Sequence, residues 1–141
     1  MRVNQISSAV AGSVGPVHSS GGGSDDQTSQ LLLHWLDGAA LRQRVLSNNL
    51  ANVNTPGYTR QDVTFETALN EALKQGPQAL DHFQPEVVTD HASPARLDGN
   101  NVQLETELSE MSKNALAYQT AMQLLSMKMS MERMAVTGRS A

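Results

Sequence analysis

The stretch SNNLANVNTPGY, Ser47 to Tyr58, sets four asparagines (Asn48, Asn49, Asn52 and Asn54) into seven positions and then breaks at Pro56-Gly57. Asparagine weakens a helix, because its amide competes for backbone hydrogen bonds. Its concentration here marks an end. Upstream, Leu32, Leu36, Ala39, Gln43, Leu46, Leu50 and Val53 recur at alternating steps of four and three. That is a heptad stripe with Gln43 as its one polar member. With Ser29 as N-cap, the spacing predicts a helix over 29–54. Thr55-Pro56-Gly57-Tyr58 then reads as a type II turn, in which Pro56 takes the second position and Gly57 supplies a positive φ at the third. Pro56 also pushes Thr55 out of the helical region. Asn54 reads as a C-terminal cap or turn residue.

A second stripe lies near the C-terminus. Leu104, Leu108, Met111, Ala115, Tyr118, Met122, Leu125 and Met129 keep the same rhythm. The spacing predicts a helix over 101–137, with Asn101 as its cap. Glu105, Glu107 and Glu110 near its start, and Lys128 and Arg133 near its end, complement the helix dipole. Between the two helices, residues 55–100 read as a turn, a short helix and a long loop. The short helix carries Phe65, Ala68, Leu69, Ala72 and Leu73 and ends at Gly76-Pro77. Pro77, Pro85, Pro94 and Asp98-Gly99-Asn100 punctuate the loop over 77–100, with Val87 to Thr89 extended. Residues 1–28, rich in Ser, Gly and Asp, bury too little apolar surface to offset their ordering entropy and read as a disordered N-terminal arm. The expected fold is mainly α. It is a single domain over 29–137, whose long amphipathic helices pair as a coiled-coil-like hairpin through Leu32, Leu36, Leu46, Leu50, Val53, Leu104, Leu108, Met111, Tyr118, Met122, Leu125 and Met129.

Each long helix has apolar residues to spare. At 100° per residue, Leu116, Leu124, Met127, Met131 and Met134 fall opposite the C-terminal stripe, and Leu41 and Val45 fall opposite the N-terminal one. Six of the seven methionines lie in the C-terminal helix, where their flexibility suits irregular contacts. Such surplus stripes point to other subunits. Asn48 and Asn52 share the far face with Leu41 and Val45. Under a neighbouring subunit, their amides would fix a register that apolar side chains leave slippery.

Composition narrows the function. The chain has 141 residues, ten Lys and Arg against fourteen Asp and Glu, and a net charge of −4. No basic patch suggests nucleic acid. No apolar run is long enough to span a bilayer. There are no cysteines, which excludes disulfides, thiolate metal sites and cysteine nucleophiles and suits passage through an oxidising compartment. His18, His34, His82 and His91 fall in no metal-binding spacing. No phosphate-binding loop, catalytic constellation, cofactor site or small-molecule site is read from the sequence.

The segment NLANVNTPGY, Asn49 to Tyr58, resembles the signature of the bacterial flagellar rod, hook and hook-associated proteins: Asn49, Leu50, Ala51, Asn52, Thr55, Gly57 and the aromatic Tyr58 behind an amphipathic helix. The continuation TRQDVTFETAL (Thr59 to Leu69) and the C-terminal segment from Asp98 to Val136, with NALAYQ and SMKMSM in place, are similar to the FlgB-type proximal rod members. The resemblance covers roughly residues 30–137, and residues 1 to about 20 look like an extension. It implies a structural subunit with no enzymatic role. Such a subunit leaves the cytoplasm unfolded through the flagellar type III export apparatus. It polymerises through its terminal helices into the periplasmic tube that transmits torque and encloses the export channel. The implied partners are other rod subunits and itself, a FliE-type adaptor and the export gate. The sibling FlgC-type rod subunit and a cytosolic coiled-coil adaptor are the alternatives.

Overall fold

The computed structural model describes residues 23–138, so residues 1–22 of the arm expected over 1–28 lie outside the described residues, while residues 23–28 are helical rather than disordered. The elements follow in the order α1 (Gly23–Ala51), β1 (Gln61–Thr64), α2 (Glu66–Gln75), α3 (Pro77–Asp81), β2 (Glu86–Thr89) and α4 (Leu104–Thr137). The fold is mainly helical, as expected. Helix α1 packs along α4, and β1, α2 and α3 pack on another side of α1. No helix among the described residues is long and apolar enough to cross a membrane.

Helix α1 starts six residues before Ser29. Further along its first turns, Thr28 and Leu32 line a groove with Leu124, Met127 and Met131 of α4. At its other end α1 stops at Ala51 rather than Asn54, and residues 52–54 leave the helix through turn bonds such as Thr55 N–H to Asn52 O at 2.9 Å.

The loop expected over 77–100 is more ordered than its composition suggested. Gly76-Pro77 ends α2 and also opens α3, because proline at the first helical position lacks only a hydrogen that has no partner there anyway. Strand β2 contains the residues read as extended and pairs antiparallel with β1, with Val63 opposite Val87 and Asp62 opposite Val88. Helix α2 closely matches its expected span.

The apolar core sits between α1 and this β1–α2–α3–β2 unit. Ala39, Val45, Val63, Phe65, Leu69 and Leu80 are buried together, with Leu31, Trp35, Leu41 and Phe83 packed against them. The face of α1 that carries Leu41 and Val45 is therefore covered by the chain itself, not left for a neighbour. Arg42 stacks its guanidinium 4.7 Å from the Phe65 ring centre and pairs with Glu66 through both terminal nitrogens. Burial opposes its charge, but the hydrogen bonds to Glu66 hold its pKa above the ordinary arginine value.

The α1–α4 seam is not the expected one. The buried residues of α4 are Glu107, Asn114, Ala121 and Lys128. Their seven-residue spacing is a heptad line one position from the apolar stripe. Met111 and Leu125 lie half-buried beside it, whereas Leu104, Leu108, Tyr118, Met122 and Met129 are exposed. On α1, Leu36 and Leu46 are buried, and Leu32, Leu50 and Val53 are half-buried. The physical reason is polar complementarity. Asn114 donates to Ala39 O at 2.9 Å and to Gln43 Oε1 at 3.0 Å, and Glu107 meets Asn49. These hydrogen bonds hold the seam, although the buried Asn114 Oδ1 takes no partner, and α4 keeps apolar residues on both flanks of it.

Candidate functional site: the polar clamp behind the asparagine turn

The asparagines at the end of α1 divide their work. Asn49 is fully buried, and its amide is satisfied at every position. It donates to Gln61 O at 2.7 Å and to Glu107 Oε2 at 2.9 Å. It accepts from Gln61 N–H at 3.0 Å and from the Tyr58 hydroxyl at 3.1 Å. One side chain thus ties α1 to β1, to α4 and to the aromatic residue beyond the turn. Asn48 is exposed. Asn52 bonds locally: its amide donates to Asn48 O at 2.8 Å and accepts from the Thr55 hydroxyl at 3.2 Å. Ala51, Asn54, Thr55, Pro56 and Gly57 are exposed at the turn.

The turn has the expected geometry. Tyr58 N–H donates to Thr55 O at 3.2 Å, and Gly57 has φ +72°. A Cβ there would touch nothing within 4 Å, so substitution meets only backbone strain. Gly57→Val is therefore expected to lose about 1–2 kcal/mol, the usual cost of a left-handed L-residue, and more than Gly57→Asn. Urea midpoints of the purified variants check this.

Carbonyls just beyond the end of α1 find further partners from far along the chain. Asn100, fully buried, donates to the carbonyls of Asn52 at 2.9 Å, Val53 at 3.2 Å and Thr55 at 2.9 Å. Arg96 also donates to Val53 O. Asn101 does not cap α4. Gln103 holds that position without a side-chain bond, while Asn101 accepts from Arg60 N–H at 2.6 Å and donates to Asp90 O at 2.7 Å.

Behind the turn lies an ion-pair cluster that the sequence reading missed. Glu107, fully buried, accepts from Arg60 Nε at 2.6 Å. Arg60 also reaches Asp62 at 3.2 Å and Asp90 at 3.3 Å. Burial works against the Arg60 charge, but the bonds it donates to Glu107 and Asp62 outweigh that and raise its pKa above the ordinary value. The Tyr58 hydroxyl is also raised, by burial and then by the charge of Glu107. Asp90 is held down to about 2, first by the Ser93 hydroxyl, then by the backbone N–H groups of Ala92 and Ser93 and by Arg60. A carboxyl lowered on folding stabilises above its unfolded pKa and loses that contribution as pH falls toward the folded value. Asp90→Asn is thus expected to flatten the loss of stability between about pH 4 and pH 2. Acid-unfolding curves of the two proteins check it.

Among the described residues, no group of three or more His, Cys, Asp and Glu is placed to hold a metal. The arrangement is a clamp: it fixes how α1 ends, where the β1–β2 pair sits and how α4 starts.

A model of the family described as "Flagella basal body rod protein" matches residues 36–59, the end of α1 and the turn. The flagellar basal body rod protein FlgB of Aeromonas hydrophila is 36% identical over 101 residues, 63% of this chain and 76% of that protein. FlgB of Bacillus subtilis is 28% identical over 121 residues, covering 79% and 94%. FlgB of Borreliella burgdorferi is 31% identical over 103 residues, covering 60% and 76%.

Proposed function

Because this chain belongs to the FlgB family of flagellar basal body rod proteins and is a structural subunit of that rod, we propose that it polymerises through the exposed flanks of α4. The observation that carries this reading is the polar seam. Glu107, Asn114, Ala121 and Lys128 face inward, so Leu116, Leu124, Met122, Met127, Met129 and Met131 stay exposed. Exposed apolar surface of this extent fits contact with neighbouring subunits. Neighbours on both flanks would build a tube that transmits torque and surrounds the export channel. The motif from Asn48 to Tyr58 supports this indirectly: its clamp holds the helix pair in a fixed geometry, and exposed Asn48 offers an amide at the surface. Export through the flagellar type III apparatus, and contacts with a FliE-type adaptor and the export gate, complete the reading.

Deleting the gene tests it. The expected result is loss of swimming and of rods and hooks in isolated envelopes, with the membrane ring still present and with complementation restoring both. Normal basal bodies in a deletion strain that holds no second copy of the gene would overturn it.

A further inference from the structure

Six of the seven methionines lie in α4, and the chain has no cysteine. Thioethers are therefore its readily oxidised sulfur groups. Five of them stand in the open: Met122, Met127, Met129, Met131 and Met134 are between 40% and 59% exposed. The sixth, Met111, is half-buried. The exposed ones occupy two sides of the helix. Met127 and Met131 line the groove with Thr28, Leu32 and Leu124, while Met122 and Met129 line a separate hollow with Leu125 and Val136.

The fold does not rest on these side chains. The buried line of α4 is Glu107, Asn114, Ala121 and Lys128. The apolar core is Ala39, Val45, Val63, Phe65, Leu69 and Leu80, with Leu31, Trp35, Leu41 and Phe83 packed against it. Neither set contains a methionine. Chemistry at the exposed sulfurs thus changes the surface of α4 and leaves intact what holds the helix in place.

We propose that these five methionines are a modification site: a peroxide converts them to sulfoxides, and the modified subunit keeps its fold but does not assemble. A sulfur lone pair attacks one oxygen of hydrogen peroxide, the O–O bond breaks and an S–O bond forms. Sulfur gives up two electrons, and the peroxide is reduced to water. A flexible apolar side chain becomes a polar one. Buried against an apolar neighbour, the new acceptor has no donor and opposes association. The step is reversible: a dithiol-dependent sulfoxide reductase returns the thioether, the oxygen leaving as water and the two thiols becoming a disulfide. The effect on assembly rests on the reading above; the oxidation itself does not.

Hydrogen peroxide on the purified full-length protein tests the site, with peptide mass spectrometry reading one added oxygen per methionine. The five exposed residues are expected to oxidise as fast as methionine in an unstructured peptide, with Met111 slower, and the melting curve is expected to stay in place. Exposed methionines that resist peroxide overturn the site. Loss of the helical signal on oxidation overturns the separation of surface from fold. In cells, the deletion strain receives Met122→Gln/Met127→Gln/Met129→Gln/Met131→Gln/Met134→Gln, in which the amide stands in for the sulfoxide. Swimming is expected to stay at the level of the deletion, while the purified variant melts like the parent. Leucine at the same five positions is expected to restore swimming. Normal swimming with the glutamines overturns the assembly effect. Loss of swimming with the leucines overturns it too, because polarity is then not what matters. Normal swimming of the deletion itself defeats the rod reading instead, and the map of oxidised residues still decides the modification site.

Discussion

Arg60→Met is expected to destabilise the folded chain by about 3–5 kcal/mol, the cost of breaking a buried ion pair from one side. Arg60 is nine-tenths buried, and the Glu107 carboxylate it meets is fully buried. Removing the guanidinium leaves Glu107 with only the Asn49 amide as a side-chain donor, and leaves Asp62 and Asp90 without their shared cation. Methionine replaces the lost volume but none of the charge. The same physics gives the second half of the prediction. Removing both charges in Arg60→Met/Glu107→Leu relieves the uncompensated carboxylate, so the double variant should be more stable than Arg60→Met alone. The coupling should be about 1–3 kcal/mol, as for residues that share one network. Urea midpoints of the four proteins measure it. A loss in Arg60→Met of under about 0.5 kcal/mol, the size of an ordinary surface change, would mean that the cluster is solvated and not a clamp.

This cluster was the least legible part of the sequence. Glu107 stands in a run of acids that the helix dipole alone explains, and nothing in Arg60 or Asp90 signals that the β1–β2 pairing brings them together. The turn was legible, because glycine after proline specifies a backbone conformation locally. Asn49 was visible as part of the motif, but its role was not. A helix wheel groups residues by angle, and Asn49 works through contacts with Gln61, Tyr58 and Glu107, none of them within its own helix. The far face assigned to Asn48 and Asn52 also carries Val45, which the chain's own core covers.

The two long helices were legible as elements but not in their pairing. An apolar stripe names the face that avoids water, not the neighbour that covers it. In α4 the stripe and the seam differ by one residue, because Asn114 and Glu107 find specific acceptors and donors on α1 that outweigh the loss of apolar contact there. The exposed Leu104, Leu108, Met122 and Met129 are what a subunit keeps for its neighbours. Strand β1 was missed for a plainer reason. Four residues with one buried apolar position, Val63, carry no period to detect.

The second large effect is expected at Phe65, where the smallest residue of α1 meets the largest buried ring. Phe65 is fully buried, stacked edge-on against Trp35 at 5.6 Å and covered by the Arg42 guanidinium. Phe65→Ala should cost about 3–5 kcal/mol, as truncating a core aromatic does. Gly38 lies directly against the ring: a Cβ at Gly38 would stand 2.6 Å from Phe65 Cγ and Cδ2. Two effects compete in Gly38→Ala. Alanine gains about 1 kcal/mol in helix preference, while overpacking a rigid core costs about 1–3 kcal/mol. The ring is pinned by Trp35 and Arg42, so the clash should win and Gly38→Ala should destabilise the native chain. In the Phe65→Ala background the ring is gone, and only the helix preference remains. There the same substitution should stabilise, by up to about 1 kcal/mol. Denaturation in a stabilising osmolyte keeps all four proteins in range. A Gly38→Ala cost of equal size and sign in both backgrounds would show that the ring moves aside freely, and that Gly38 is not what seats the β1–α2–α3–β2 unit on α1.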